Sequence, residues 1–176
     1  VVTDTTAPAS QSISINSGED NTTSTSVTLT LSATDTVSVT GYYASESSTT
    51  PANNASGWNS ITGITSYSAT VIFTLSSETS AGTYSRTVYV WFKDTAGNVS
   101  ASASDGINLI VSETTAPANP SISIDSGVSS TTTTSVILTL SATDNVGVTS
   151  FYASESSSTP TSNTSGWTSV SSATTY

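Results

Sequence analysis

The sequence predicts an all-β chain of antiparallel two-sheet sandwiches strung in tandem, each of about 100 residues. Three observations carry that expectation. Apolar and polar residues alternate through most of the chain, which is the period of a strand with one buried and one wet face. Thr, Val, Ile and Tyr are abundant while strong helix formers are scarce, with no Met and only Arg86 and Lys93 as bases. The 176-residue sequence also repeats itself after 109 residues without a gap.

The elements of one unit follow in order. Ile13 and Ile15 form a short first strand, ended by Ser17-Gly18. Val27, Leu29, Leu31 and Ala33 alternate with Thr28, Thr30 and Ser32 in a second strand. A turn beginning at Asp35 leads to a third strand over 37–45, and the polar stretch 47–57 separates it from a short strand near Trp58 to Ile61. Val71, Phe73 and Leu75 share a face in the next. After Ala81-Gly82, Val88, Val90 and Phe92 share another. A turn over 94–98 precedes Ile107, Leu109 and Val111, which close the unit. Seven short strands in about 100 residues is the immunoglobulin-like expectation.

The repetition sets the domain plan. Thr5-Thr6-Ala7-Pro8-Ala9 recurs as Thr114-Thr115-Ala116-Pro117-Ala118, Leu29 to Asp35 as Leu138 to Asp144, Tyr43 to Ser48 as Tyr152 to Ser157, and Ser56-Gly57-Trp58 as Ser165-Gly166-Trp167. The period is too long for a solenoid unit and fits a whole sandwich. Residues 1–4 then read as the end of a preceding repeat, 5–113 as a first repeat and 114–176 as the N-terminal part of a second. Val1-Val2 match Ile110-Val111 and Tyr176 matches Tyr67, so the window is expected to come from a larger parent array, completed by its own continuing chain or by a neighbouring subunit.

Composition excludes several functions. Twelve acids against two bases give a net charge of −10, and a nucleic-acid surface needs clustered Lys and Arg. No apolar run approaches the ~20 residues of a membrane span. Without Cys or His there are no disulfides, thiolate sites or Ser-His-Asp and Cys-His catalytic arrangements, and no P-loop or dinucleotide glycine pattern occurs. The acids sit in turns, where solvation accounts for them, so the chain reads as non-enzymatic. Lys93, the only lysine, lies in a mid-domain strand, which argues against a fibre-stabilising Lys–Asn isopeptide bond.

Two candidate sites remain. In a sandwich of this topology the loop after the second strand and the loop after the sixth share a pole with the incoming chain. That brings together Asp4 (Glu113 in the next copy), Asp35 (Asp144) and Asp94 with Asn98, hard oxygens suited to a weakly bound Ca²⁺ at the domain junction. The competing reading is that Asp35 and Asp94 begin turns by accepting backbone N–H bonds. The other candidate is aromatic. Tyr89 and Trp91 have opposite parity to Val88, Val90 and Phe92 and, with Tyr42, either present a stripe to a glycan or protein ligand or lie under neighbouring side chains. Trp58 reads as a core or sheet-edge plug or as a sugar platform, and Tyr84 as a tyrosine corner tying the loop before it. Asn21, Asn54, Asn98 and Asn163 fit the N-x-S/T glycosylation pattern, which a Ser- and Thr-rich chain also produces by chance.

The linker Asp4-Thr5-Thr6-Ala7-Pro8, the run Leu31-Ser32-Ala33-Thr34-Asp35 and the segment from Val88-Tyr89-Val90-Trp91-Phe92 through Asn98-Val99-Ser100 together resemble bacterial immunoglobulin-like repeats of giant surface proteins and adhesins. The resemblance covers essentially the whole chain. It implies an extracellular or cell-surface location and a structural role in a stalk or filament, its partners being neighbouring repeats or identical subunits. The alternative it implies is an adhesive module that binds carbohydrate or a protein. Near-identical copies without a unique loop favour the spacer.

Overall fold

The computed structural model describes residues 4–170, which are all-β apart from one 3₁₀ turn, and its curled sheets are consistent with a β-sandwich. The chain divides into two compact units between Ser112 and Glu113. The expected matches of Val1-Val2 and of Tyr176 lie outside the described residues.

The first unit holds β1 (Ala9–Ile15), β2 (Asn21–Thr22), β3 (Ser26–Ser45), β4 (Asn59–Thr74), β5 (Gly82–Asp94) and β6 (Ala103–Val111). They form one six-stranded sheet in the order β1-β3-β5-β6-β2, with β4 also paired to β3. Every pairing is antiparallel except the short parallel one of β2 with β6. The strand count is six rather than the expected seven. The second and third expected strands are continuous as β3, and the fourth and fifth are continuous as β4. A two-residue strand, β2, was not legible in the sequence.

Continuity is what lets the sheet curl. The first half of β3 pairs β1 through Leu29, Leu31 and Thr34, and pairs the second half of β4. Its second half pairs β5 through Tyr42 to Ser45, and the first half of β4. The bend between the halves lies at Asp35, whose Oδ1 accepts from the backbone N–H of Val37 (2.9 Å) and Ser38 (2.8 Å). Ile15, Val27, Leu29, Leu31 and Ala33 from one half thereby meet Val39, Val88, Val90, Phe92 and Ile107 from the other in one buried core.

A bulge at Thr40 decides which aromatics face that core. Between Val39 and Gly41 β3 advances two residues while β5 advances one, from Asp94 to Lys93. An extra residue in one strand reverses the facing of everything after it. Val39 is buried before the bulge, and Tyr42 and Ala44 pack on the core after it. Tyr42 stacks with Tyr67 at 6.3 Å, and Tyr67 tilts against Phe92 at 5.9 Å.

The second unit contains β7 (Ala118–Ile124), β8 (Leu138–Thr143), β9 (Ser150–Phe151) and β10 (Thr168–Ser169), in two separate pairs. Its geometry repeats the first unit's at the same offset. β7 meets β8 through Ile122↔Leu140 and Ile124↔Leu138, as β1 meets β3 through Ile13↔Leu31 and Ile15↔Leu29. Ser121 and Ser141 join Oγ to Oγ at 2.7 Å, as Ser12 and Ser32 do. The left-handed Asn16 (φ 46°) and Ser17 (φ 61°) reappear as Asp125 (φ 44°) and Ser126 (φ 60°). Burial differs, however. Ile15 is 0% exposed and Ile124 is 51% exposed. In the first unit β5 and β6 supply Val88, Val90, Phe92 and Ile107 to the core, and no strand among the described residues does this in the second.

The polar loops organise themselves through hydroxyls. Ser24 N–H donates to Thr22 Oγ1 and Ser26 N–H to Ser24 Oγ, both at 3.1 Å. The same i-to-i+2 step recurs from Ser45 to Ser47 to Thr49 and from Ser154 to Ser156 to Ser158. Short Ser and Thr side chains favour this local closure over a ladder, which keeps these segments as turns. No helix among the described residues is long and apolar enough to cross a membrane.

Candidate metal centre

One pole of the first unit gathers three carboxylates. Asp35 sits at the β3 bend, Asp94 at the end of β5 and Asp4 on the segment that leads into β1. One carboxylate oxygen from each lies within 4.8 Å of the others. Asp35 and Asp94 are buried, at 8% and 3% exposure.

Local chemistry fixes each of them. Asp35 spends Oδ1 on the two backbone N–H groups of its bend, as the turn reading expects, and leaves Oδ2 buried without a partner. Asp94 closes a turn in which Gly97 takes φ +90°, a conformation that suits glycine. Its Oδ1 accepts from Asn98 N–H at 2.9 Å and its Oδ2 from Asn98 Nδ2 at 2.7 Å. Asp4 Oδ1 accepts from Thr6 N–H at 3.0 Å, while Oδ2 is buried and unpartnered. Ser38 Oγ and Thr95 Oγ1 share a hydrogen bond at 2.5 Å that ties the bend to the turn. Asn98 joins the cluster as a brace, since its Nδ2 donates to both Asp94 and the Asp4 carbonyl (3.3 Å). Its side-chain nitrogen points at carboxylate rather than offering an oxygen to a metal.

No base reaches the cluster. Arg86 bonds Glu78 at 2.5 Å, lies 3.6 Å from Glu46 and donates to the Ser76 carbonyl. Lys93 donates to the Asn53 carbonyl at 3.0 Å and lies 4.8 Å over the Trp58 ring. Adjacent strand residues point to opposite faces, so Lys93 turns away from its neighbour Asp94. Two carboxylates 4.8 Å apart repel by about 3.5 kcal/mol at an effective dielectric near 20. Three carboxylates gathered with no base among them are a cluster that could hold a metal ion.

The two other expected ligands belong to the second unit, where Glu113 and Asp144 line one cleft with Thr115, Val146 and Trp167. Glu113 Oε1 accepts from Thr115 N–H, as Asp4 does from Thr6. Asp144 Oδ1 accepts from Val146 (2.9 Å) and Gly147 (2.8 Å), and Oδ2 is again buried without a partner. The Gly147 and Val146 N–H groups lower the Asp144 pKa, and desolvation opposes them weakly. A depressed folded pKa means that this contribution to stability is present above the unfolded value and is lost as pH falls through the folded one. In metal-free buffer the Asp144 carboxyl carbon is therefore expected to titrate by NMR below the ordinary value of about 3.9. A midpoint at or above that value would contradict the assignment.

The aromatic candidates are rearranged by the bulge. Tyr42 faces the core, and Tyr43 takes its place on the outer face. Trp91 has the expected parity but is 0% exposed, against Tyr43 (T-shaped, 6.2 Å) and Tyr89 (stacked, 6.1 Å). The loop before β4 closes over the same face. Trp58 packs edge-on against Tyr43 at 5.7 Å and its Nε1 donates to the Ala52 carbonyl at 2.8 Å, so it covers the sheet from outside and does not plug the core. A Cβ at Gly57 would meet the Tyr43 ring at 2.5 Å, so only glycine lets the loop lie this close. Sequence offers one signal for the reversal, a glycine (Gly41) inside a strand pattern. Tyr84 behaves as a corner residue, its hydroxyl donating to the Ser80 carbonyl at 2.9 Å.

Of the glycosylation candidates, Asn21, Asn54 and Asn163 are exposed. Asn98 spends its amide nitrogen, the atom a glycan would occupy, on Asp94 and Asp4. No family model, curated protein or solved structure matches the chain.

Proposed function

We propose that the chain is a non-catalytic structural segment of an extracellular stalk or filament, built from immunoglobulin-like sandwich units that recur every 109 residues. The observation that carries this reading is recurrence at the level of single hydrogen bonds. Asp35 to Val37 and Ser38 is repeated by Asp144 to Val146 and Gly147, and Trp58 Nε1 to the Ala52 carbonyl by Trp167 Nε1 to the Thr161 carbonyl. Repeated loops without a distinctive member suit a spacer, which must hold distance rather than discriminate ligands. The strand order of the first unit and the Tyr84 tie to Ser80 support the immunoglobulin-like assignment.

The adhesive alternative needs an accessible aromatic surface. Trp91 is covered, Tyr43 and Trp58 are engaged with each other, and Trp58 is also engaged with Lys93. Stretching the chain by its ends in an optical trap is expected to open the first unit in one cooperative step, and a glycan array probed with the same chain is expected to give no saturable signal. Saturable glycan binding that disappears in Tyr43→Ala and Trp58→Ala would replace the spacer by a lectin-like function.

A further inference from the structure

We propose that the acidic pole of the first unit is a specific site for one divalent cation of the calcium class, with Asp4, Asp35 and Asp94 as its carboxylate ligands, and that the cation clasps the entering segment onto the sheet.

Proximity of acids alone would not support this, because exposed acidic groups gather on many surfaces. The additional observation is the state of Asp35. It is 8% exposed, yet its Oδ2 has no hydrogen-bond partner. Buried polar oxygens are almost always satisfied, and a charged one left bare is costly. Asp4 Oδ2 is bare in the same way. The other oxygens of these two residues are held by Thr6, Val37 and Ser38 N–H groups, so the side chains are fixed and the free oxygens are presented rather than mobile. The third ligand is oriented by Asn98, which bonds both of its oxygens and also reaches the Asp4 carbonyl. Arg86 and Lys93 are committed elsewhere, so no side chain of the protein neutralises the pole.

The ligand class follows from the donors. All three are hard oxygens without a thiolate or imidazole, and they come from three separate segments of the chain, which suits the flexible coordination of Ca²⁺ better than the strict octahedron of Mg²⁺. Asp4 lies outside every strand, so a cation here joins the incoming chain to the β3 bend and the β5 turn. The cleft of the second unit is lined by Glu113 and Asp144 and by no third carboxylate, so the first pole is the stronger site.

The test uses the full 176-residue chain, stripped with EGTA and titrated with CaCl₂. One saturable site is expected, with a Kd of about 10⁻⁴–10⁻³ M as in extracellular modules. The amides of Thr6, Val37 and Asn98 should shift together in NMR spectra and Tm should rise. Asp35→Asn keeps an oxygen for the bend and loses a charge. In EGTA it should be at least as stable as the parent, and in millimolar Ca²⁺ less stable, with at least tenfold weaker binding. Asp4→Asn, which touches no core residue, should weaken binding similarly and guards against misfolding of the first variant. Absence of heat and of shift changes up to 10 mM Ca²⁺, binding unaltered in both variants, or a Tm order that does not cross between EGTA and Ca²⁺ would each overturn the proposal.

Discussion

Ile15→Ala is expected to destabilise the first unit by about 3–4 kcal/mol, whereas Ile124→Ala should change stability by less than about 1 kcal/mol. The two isoleucines stand in the same Ser-Ile-Ser-Ile context and the same register, opposite Leu29 and Leu138. What separates them is cover. Ile15 is sealed by residues of β5 and β6, and Ile124 is half open to water. Removing a sealed side chain loses its transfer free energy and leaves a cavity, while removing an open one does neither. Urea unfolding followed by tryptophan fluorescence and far-UV circular dichroism reads both. Equal losses at the two positions would mean that the second unit also closes a core.

Trp91→Ala should cost about 3–5 kcal/mol even though Trp91 lies on the face away from the main core. It is fully buried between Tyr43 and Tyr89, and beyond Tyr43 stands Trp58, itself held by Lys93 and by the Ala52 carbonyl. Tyr89→Ala, at the less covered end of the stripe, should cost well under half as much. Denaturant midpoints of the two variants decide the matter. Near-neutral Trp91→Ala would indicate an open stripe and restore the case for a ligand-binding surface. The magnitude depends on the polar loop that covers the face, so Gly57→Ala, which drives a methyl into the Tyr43 ring, should weaken the same layer.

The parts of the fold that alternation governs were legible in the sequence. Val27, Leu29, Leu31 and Ala33 face inward together, as do Val88, Val90 and Phe92, because a strand with one wet face writes its burial into every second residue. Strand ends were less legible. Asp35 begins a turn, as its residue type suggests, but the turn is made inside a continuing ladder and bends the strand rather than ending it. The error at Tyr42 has one local cause, since a single extra residue at Thr40 exchanges the two faces. Alternation read forward from Val39 gives the wrong tyrosine.

The acidic pole was readable for a different reason. Asp4, Asp35 and Asp94 come from loops that any sandwich of this order brings to one end, so topology gathered them without side-chain detail. The role of Asn98 was not readable, because an amide offers a donor and an acceptor and only the surroundings choose between them. The commitments of the two bases were also hidden. Arg86 reaches Glu78 and Glu46 across loops whose approach no local pattern announces.

The hydroxyl steps at Ser24 and Ser26, Ser45 to Thr49 and Ser154 to Ser158 have a consequence for where such a protein can work. A hydroxyl does not titrate in water's ordinary range, and its short contact with a neighbouring amide is not screened by dissolved salt as an ion pair is. Connections held in this way contain no titrating group through which acid or salt could act on them. Sensitivity to the ionic surroundings is thereby left to the charged groups, the carboxylates at the poles and the Arg86 pairs with Glu78 and Glu46.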